Sequence, residues 1–293
     1  MKIDRRGFIT YAVGGALGAT FATGFKTARA AEKAPAKLRL AACDWSLRAP
    51  GPDGLDIAKR VGLDGLEISA GNPEDTLQIA DAAYRDAYKR KREATGVAIP
   101  SIAMGLLNKA PLATDPRGPV WLEQTIDAAH DLKAGVILLA FFGKGDLRRG
   151  KELKTDAIDT VVQRLKDAAP RAEKAGVILG LENTLSGKDN MAILDRVQSD
   201  CVQVYYDIGN STYNGYDVPA EIRELGDKIC QFHFKDGKYY LGDGKVDMAP
   251  VAEAVNAIGY KGWVVLETSI PSKDRDADFK KNAAFVRDLF DMG

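Results

Sequence analysis

From residue 38 onward the chain alternates two hydrophobic patterns. Short, nearly continuous apolar runs occupy residues 38–43, 65–68, 97–103, 135–140, 177–181, 202–206, 229–234 and 263–266. Runs of this length without polar alternation predict strands covered on both faces, as in a parallel sheet. Between them apolar residues recur every three or four positions, most clearly over residues 75–95, 120–133 and 156–175, which predicts amphipathic helices. One phrase repeats at the joints: Val61-Gly62-Leu63-Asp64-Gly65, Ala175-Gly176-Val177 and Ile258-Gly259-Tyr260-Lys261-Gly262-Trp263. Each reads as a helix end, a glycine stop and a new strand. Eight β/α units in about 255 residues predict an α/β fold, a single (β/α)8 TIM barrel of parallel strands. A doubly wound sheet with an added lobe is the alternative.

In such a barrel the chemistry gathers where strands end and βα loops begin. The residues at those positions are Asp44-Trp45, Glu67, Ala103-Met104, Phe141-Phe142, Glu182-Asn183, Asp207, His233 with Lys235-Asp236, and Glu267. Glu182, Asp207, His233 and Glu267 end four successive strands, so they share one arc of the rim. A carboxylate buried there costs several kcal/mol, on that order, unless it is paired or bound to a cation. Three neighbouring carboxylates also repel one another. One divalent cation resolves both problems, with the imidazole completing a four-ligand set. Three oxygens and one nitrogen form a hard, mixed donor set that suits Mn²⁺ first, with Mg²⁺, Co²⁺ and Zn²⁺ as alternatives.

Composition narrows the picture. The 293 residues carry 41 Lys+Arg and 41 Asp+Glu, a net charge of zero, which argues against a nucleic-acid binder. Cys43, Cys201 and Cys230 show no C-x-x-C spacing, so neither a disulfide framework nor a thiolate zinc site is supported. His130 and His233 are the two histidines, which excludes any site of three imidazoles; His130 sits mid-helix and reads as a surface residue. The N-terminus, Asp4-Arg5-Arg6-Gly7-Phe8-Ile9, precedes an uncharged Gly/Ala-rich stretch and the small residues Ala28 and Ala30. It resembles a twin-arginine export signal over residues 1–30, cleaved after Ala30. Residues 31–37 then form a tether, residues 38–293 the barrel domain, and the expected location is the periplasm. Gly14, Gly15, Gly18 and Gly24 make a poor spanning helix, so no stable membrane insertion is expected. Leu40-Ala41-Ala42-Cys43 mimics a lipoprotein box, but charged residues separate it from the apolar stretch. Cys43 reads as a small buried residue at a strand end.

The segments Gly180-Leu181-Glu182-Asn183, Tyr206-Asp207-Ile208-Gly209-Asn210, Phe232-His233-Phe234-Lys235-Asp236-Gly237 and Val265-Leu266-Glu267-Thr268 resemble the xylose isomerase-like TIM-barrel family, the sugar phosphate isomerase/epimerases. So does Leu241-Gly242-Asp243-Gly244-Lys245-Val246-Asp247, before the last helical unit. The resemblance covers about residues 38–290 and is most specific in the C-terminal half. It implies metal ligands at Glu182, Asp207, His233 and Glu267, with Glu182 and Glu267 as the acid/base pair. It implies proton abstraction beside a carbonyl through an enediolate. Many epimerases of the family carry a substrate-touching histidine where this chain has Asn210, and an asparagine does not titrate near neutral pH. Further substrate contacts are expected at Lys235, Asp236, Glu67, Asn183 and Trp45, with Phe141 and Phe142 against the sugar's apolar face. The expected partner is a small carbohydrate without a phosphate, since no Gly-rich phosphate loop stands out. A homo-oligomer is compatible with the sequence. A metal-dependent lyase or dehydratase of a keto-sugar or inosose needs the same base and ion. A sugar-binding barrel without turnover is the third reading, but it has no use for two flanking glutamates.

Overall fold

The computed structural model describes residues 38–292. The expected export signal and tether lie outside the described residues. Eight parallel strands, β1 (Arg39–Cys43), β2 (Gly65–Ser69), β3 (Ser101–Met104), β4 (Val136–Ala140), β5 (Ile178–Glu182), β6 (Val202–Asp207), β7 (Ile229–Phe234) and β8 (Trp263–Leu266), form a closed barrel. Each strand pairs with the next in sequence, and β8 closes on β1. Around them lie α1 (Gly54–Arg60), α2 (Ala82–Thr95), α3 (Gly118–Leu132), α4 (Thr155–Ala175) and α5 (Gly187–Val197). The outer ring continues with α6 (Ile208–Asn214), α7 (Val218–Leu225), α8 (Met248–Ala257) and α9 (Arg275–Leu289). A short antiparallel hairpin, Arg148–Arg149 against Glu152–Leu153, precedes α4. No helix among the described residues is long and apolar enough to cross a membrane.

Local chemistry moves two predicted boundaries. The helix predicted over residues 75–95 starts only at Ala82, because Asp81 caps it, its side chain accepting from the Tyr84 N–H at 3.0 Å. Gln78–Ala80 instead forms one 3-10 turn. β3 is shorter than the predicted 97–103 run. Pro100 has no N–H to give the ladder, so regular pairing starts at Ser101, with one isolated bridge between Ala98 and Gly65.

The core has two shells. The larger lies between strands and helices and includes Leu66, Ile68, Ile137, Leu139, Phe232 and Phe234, all fully buried. The smaller fills the barrel interior with Ala41, Cys43, Ala103, Leu138, Ala140, Tyr205 and Val265. Alternate strand residues feed the two shells, which is why β4 is buried along its whole length. Small interior residues on β3 and β4 leave room at the mouth. Register then sets depth: Cys43 pairs with Glu67, Ala140 with Glu182, and Asp207 with His233.

Candidate active site

The four strand-end residues converge. One ligand atom each from Glu182, Asp207, His233 and Glu267 lie within 4.8 Å of one another. Two donors on opposite sides of an ion at ~2.0–2.2 Å stand up to about 4.4 Å apart, so the cluster is close to coordination size. His233 Nδ1 lies 2.7 Å from Glu182 Oε1 and 3.6 Å from Glu267 Oε2. Asp207 ends β6 and caps α6 at the same time, its Oδ1 accepting from the Asn210 N–H at 2.8 Å. That leaves Asp207 Oδ2 buried and without a well-formed hydrogen bond; its charge partner is the Lys235 ammonium, 2.8 Å away. An orphaned carboxylate oxygen beside two glutamates and an imidazole fits a divalent cation in a hard donor set. Gly209 is required in the α6 turn, because a Cβ there would lie 2.5 Å from Lys235 Cγ.

Below this cluster lies a polar network that the sequence did not reveal. Glu67 is fully buried: its Oε1 meets His233 Nε2 at 2.8 Å, and its Oε2 accepts from Ser101 Oγ at 2.6 Å and Tyr205 OH at 2.9 Å. Gln231 Nε2 donates to both of those hydroxyls at 2.8 Å, which fixes the direction of every bond. Cys43 Sγ lies 3.4 Å from His233 Nε2, a buried strand-end thiol as expected. The expectation that Glu67 holds a sugar hydroxyl is therefore corrected. β2 runs on to Ser69, so Glu67 lies one layer beneath the rim, sealed under the imidazole. Its carboxylate favours a proton on Nε2, so that when the imidazolium gives up one proton it is the Nδ1 lone pair that is freed toward the cluster. Ser101, Tyr205 and Gln231 were missed. Their one sequence signal is polarity at inward positions of apolar strands, Gln231 being two residues before His233.

Charge separates the two glutamates. Burial pushes Glu182 up to about 7, against the pull of His233. Burial also works against ionised Glu267, but His233, Lys235 and the Trp45 indole N–H outweigh it and hold that carboxyl down at about 2. Burial raises Asp207 despite Lys235. Burial opposes the His233 imidazolium, yet Cys43, Glu182, Glu67 and Glu267 around it carry its pKa well above the ordinary value. Lys235 Nζ, 2.5 Å from Glu267 Oε2 and 2.8 Å from Asp207 Oδ2, is likewise kept charged against its burial by those two carboxylates.

The other expected contacts divide. Lys235 lies in the cluster, and Trp45 stands at its edge, donating from Nε1 to Glu267 Oε1 at 3.1 Å. Asn210, half-buried in the first turn of α6, does not line the cavity, and its side chain makes no hydrogen bond among the described residues. Asp236, expected as a substrate contact, does not line the cavity. It is fully buried and accepts the backbone N–H groups of Gly244, Lys245 and Val246 at 2.8–3.1 Å, so it anchors the loop before α8. Asn183 is also corrected: strand alternation turns it away from Glu182, and its amide pairs with Asn190 of α5 and the Leu185 N–H. Phe141 is packed in the core, whereas Phe142 lines the mouth. That mouth is a cavity of about 450 Å³ bounded by Glu182, Glu267, Trp45 and Phe142. His130 donates to or accepts from nothing in the mouth; its Nδ1 meets the Ala175 carbonyl at 3.0 Å, on the outer ring.

Known proteins share this architecture. The putative L-ribulose-5-phosphate 3-epimerase SgbU of Escherichia coli (strain K12) is 26% identical over 244 residues, covering 74% of this chain and 82% of that protein. The L-ribulose 3-epimerase of Mesorhizobium japonicum is 26% identical over 245 residues, 80% of this chain and 81% of that protein. The solved structure of the 3-keto-D-glucoside 4-epimerase YcjR of E. coli superposes with a TM-score of 0.72 over 86% of this chain and 100% of that one, at 16% identity, a likeness of fold. The family model described as xylose isomerase-like TIM barrel matches residues 55–289. With that match spanning nearly the whole barrel, the chain belongs to the xylose isomerase-like TIM-barrel family.

Proposed function

We propose that this protein is a divalent-metal-dependent isomerase or epimerase that moves a proton next to the carbonyl of a sugar or keto-sugar. One observation carries the reading. Of the four converging residues, Glu182 and Glu267 alone line the open cavity, while Asp207 and His233 lie behind them. Two carboxyl groups at the ends of different strands thus face the substrate space, placed for one to take a proton and the other to give one.

Glu182, Asp207, His233 Nδ1 and Glu267 would hold the ion, with Mn²⁺ as the first choice. A bound divalent ion supplies Lewis-acid stabilisation of the charge that builds on the carbonyl oxygen. The chain's own groups do the rest. One of Glu182 and Glu267 would accept the proton beside the carbonyl and the other would return one, in either order. Lys235 balances charge between Asp207 and Glu267. Glu67, acting through His233, is a positioning residue.

The relatives act, by name, on both phosphorylated and free sugars, so they leave the substrate's charge open. We take it to be unphosphorylated, because Lys109 is the one basic side chain lining the cavity among the described residues. The twin-arginine-like N-terminus supports an exported, periplasmic enzyme. The test is metal content by mass spectrometry, followed by deuterium uptake from heavy water into a panel of keto-sugars. The expected result is about one ion per chain, lost in Asp207→Asn and His233→Ala, and no uptake with Glu182→Gln or Glu267→Gln. Full uptake in both glutamine variants, or no metal after incubation with Mn²⁺, Co²⁺, Mg²⁺ and Zn²⁺, overturns the reading.

A further inference from the structure

The carboxyl pair stands at one edge of the mouth. Strands β5–β8 and their loops contribute only Glu182 and Glu267 to the cavity lining, and all its other lining residues belong to β1–β4 and the loops that follow them. A proton transferred between the two glutamates therefore belongs to a carbon at that edge, while the residues of β1–β4 and their loops line the rest of the roughly 450 Å³. That volume equals about fifteen waters at ~30 Å³ each. It falls within the ~300–1,000 Å³ of sites that enclose much larger ligands than one monosaccharide of twelve non-hydrogen atoms.

The chemistry of this empty half is specific. Its floor is made of small residues, Ala103 of β3 and Ala140 of β4. Trp45, 38% exposed, and half-buried Phe142 bound it after β1 and β4, offering aromatic faces. Asn72 and Gln78 present amides that make no side-chain hydrogen bond among the described residues. Asn108 uses its Oδ1 to accept the Phe142 N–H at 2.9 Å, which leaves its Nδ2 donors to the cavity. Amides and aromatic faces recognise an uncharged, hydroxylated ring. A phosphate calls instead for a guanidinium fork or a cradle of backbone N–H groups. Lys109 alone faces two glutamates here.

We infer that the half of the mouth over β1–β4 is a subsite for a second, uncharged sugar ring, so that the substrate is a keto-sugar joined to that ring through a glycosidic bond. This rests on the reading of Glu182 and Glu267 as the reacting pair. The experiment uses the full chain loaded with Mn²⁺ and has two arms. Calorimetry compares glucose with a panel of non-reacting uncharged disaccharides, cellobiose and trehalose included. Deuterium uptake compares free 3-keto-glucose, 3-keto-disaccharides and ribulose 5-phosphate. The expected result is that the best disaccharide binds about ten-fold more tightly than glucose. Gln78→Ala and Phe142→Ala should each shrink that ratio about three-fold or more, a loss of about 0.65 kcal/mol. The keto-disaccharide should also have the highest kcat/KM. Equal binding of one and two rings, or fastest uptake into the phosphorylated pentulose, overturns the subsite. A disaccharide preference without uptake into any keto-sugar leaves the subsite standing and overturns the isomerase reading instead. Uptake into free keto-sugars with no preference for two rings does the reverse.

Discussion

Glu67 is buried and does not line the cavity, yet its replacement should weaken metal binding. Its two oxygens serve two sets of donors: Oε1 meets His233 Nε2, and Oε2 receives Ser101 and Tyr205. Glutamine keeps the shape and one acceptor oxygen, so one set loses its partner whichever way the amide turns. A buried donor left unpaired costs about 1–3 kcal/mol. Leucine loses both sets, and the other polar atom near Nε2 among the described residues is Cys43 Sγ at 3.4 Å, a weak acceptor. The proton is then free to move to Nδ1 and cover the lone pair that would bind the ion. Loss of such a partner to a metal-bound histidine costs ~10–100-fold in affinity, about 1.4–2.7 kcal/mol. We expect wild type to bind Mn²⁺ most tightly, Glu67→Gln about ten-fold less and Glu67→Leu about a hundred-fold less. Calorimetric titration measures the order, and circular dichroism checks that each variant is folded. Folded variants that both bind Mn²⁺ like wild type would refute the argument.

Other consequences are open to direct tests. Glu182, raised to about 7, and His233, also raised, must both be free of the proton to bind an ion, so protons compete below those values. Apparent Mn²⁺ affinity should rise between pH 6 and 8 by about ten-fold per unit for each proton displaced, and an affinity flat in pH would contradict this. A Cβ on Gly244 would lie 2.2 Å from Asp236 Oδ1, in the loop that Asp236 anchors. Gly244→Ala should cost about 2–4 kcal/mol and lower Tm by roughly 5–15 °C in a thermal melt; an unchanged Tm would show that the loop yields. Asp276 is held down at about 2, first by the Arg60 hydrogen bond. A depressed carboxylate stabilises the fold above its unfolded value of 3.8 and loses that contribution as pH falls through about 2. Asp276→Asn should thus cost a little stability in urea at pH 7 and progressively less toward pH 2, small throughout because both partners are partly exposed.

The barrel and its reacting arc were legible because both are short-range properties. Unbroken apolar runs mark strands covered on two faces, and the last polar residue of each run falls at the rim wherever it lies in the sequence. That logic found Glu182, Asp207, His233 and Glu267, since in a closed barrel of β/α units strands that follow one another in sequence are neighbours in space. Alternation also placed Lys235 on the face of His233. Where a residue's role depends on depth, on a loop or on a distant partner, periodicity is silent. Glu67 and Glu182 look alike in sequence, but β2 continues two residues past Glu67 and buries it beneath the imidazole, whereas β5 ends at Glu182. A period of two specifies the face of a strand and not its stagger against the next, which the closed barrel fixes. Asp236 reads in sequence as a substrate contact beyond His233, but the returning loop brings three backbone N–H groups to it. Asn183 found Asn190 across a turn. The sequence by itself determined the fold and the four converging groups. Only the tertiary structure decided which carboxylates face the cavity and which hold the histidine from below, because closure of the barrel brings together residues as distant in sequence as Glu67 and His233, 166 positions apart.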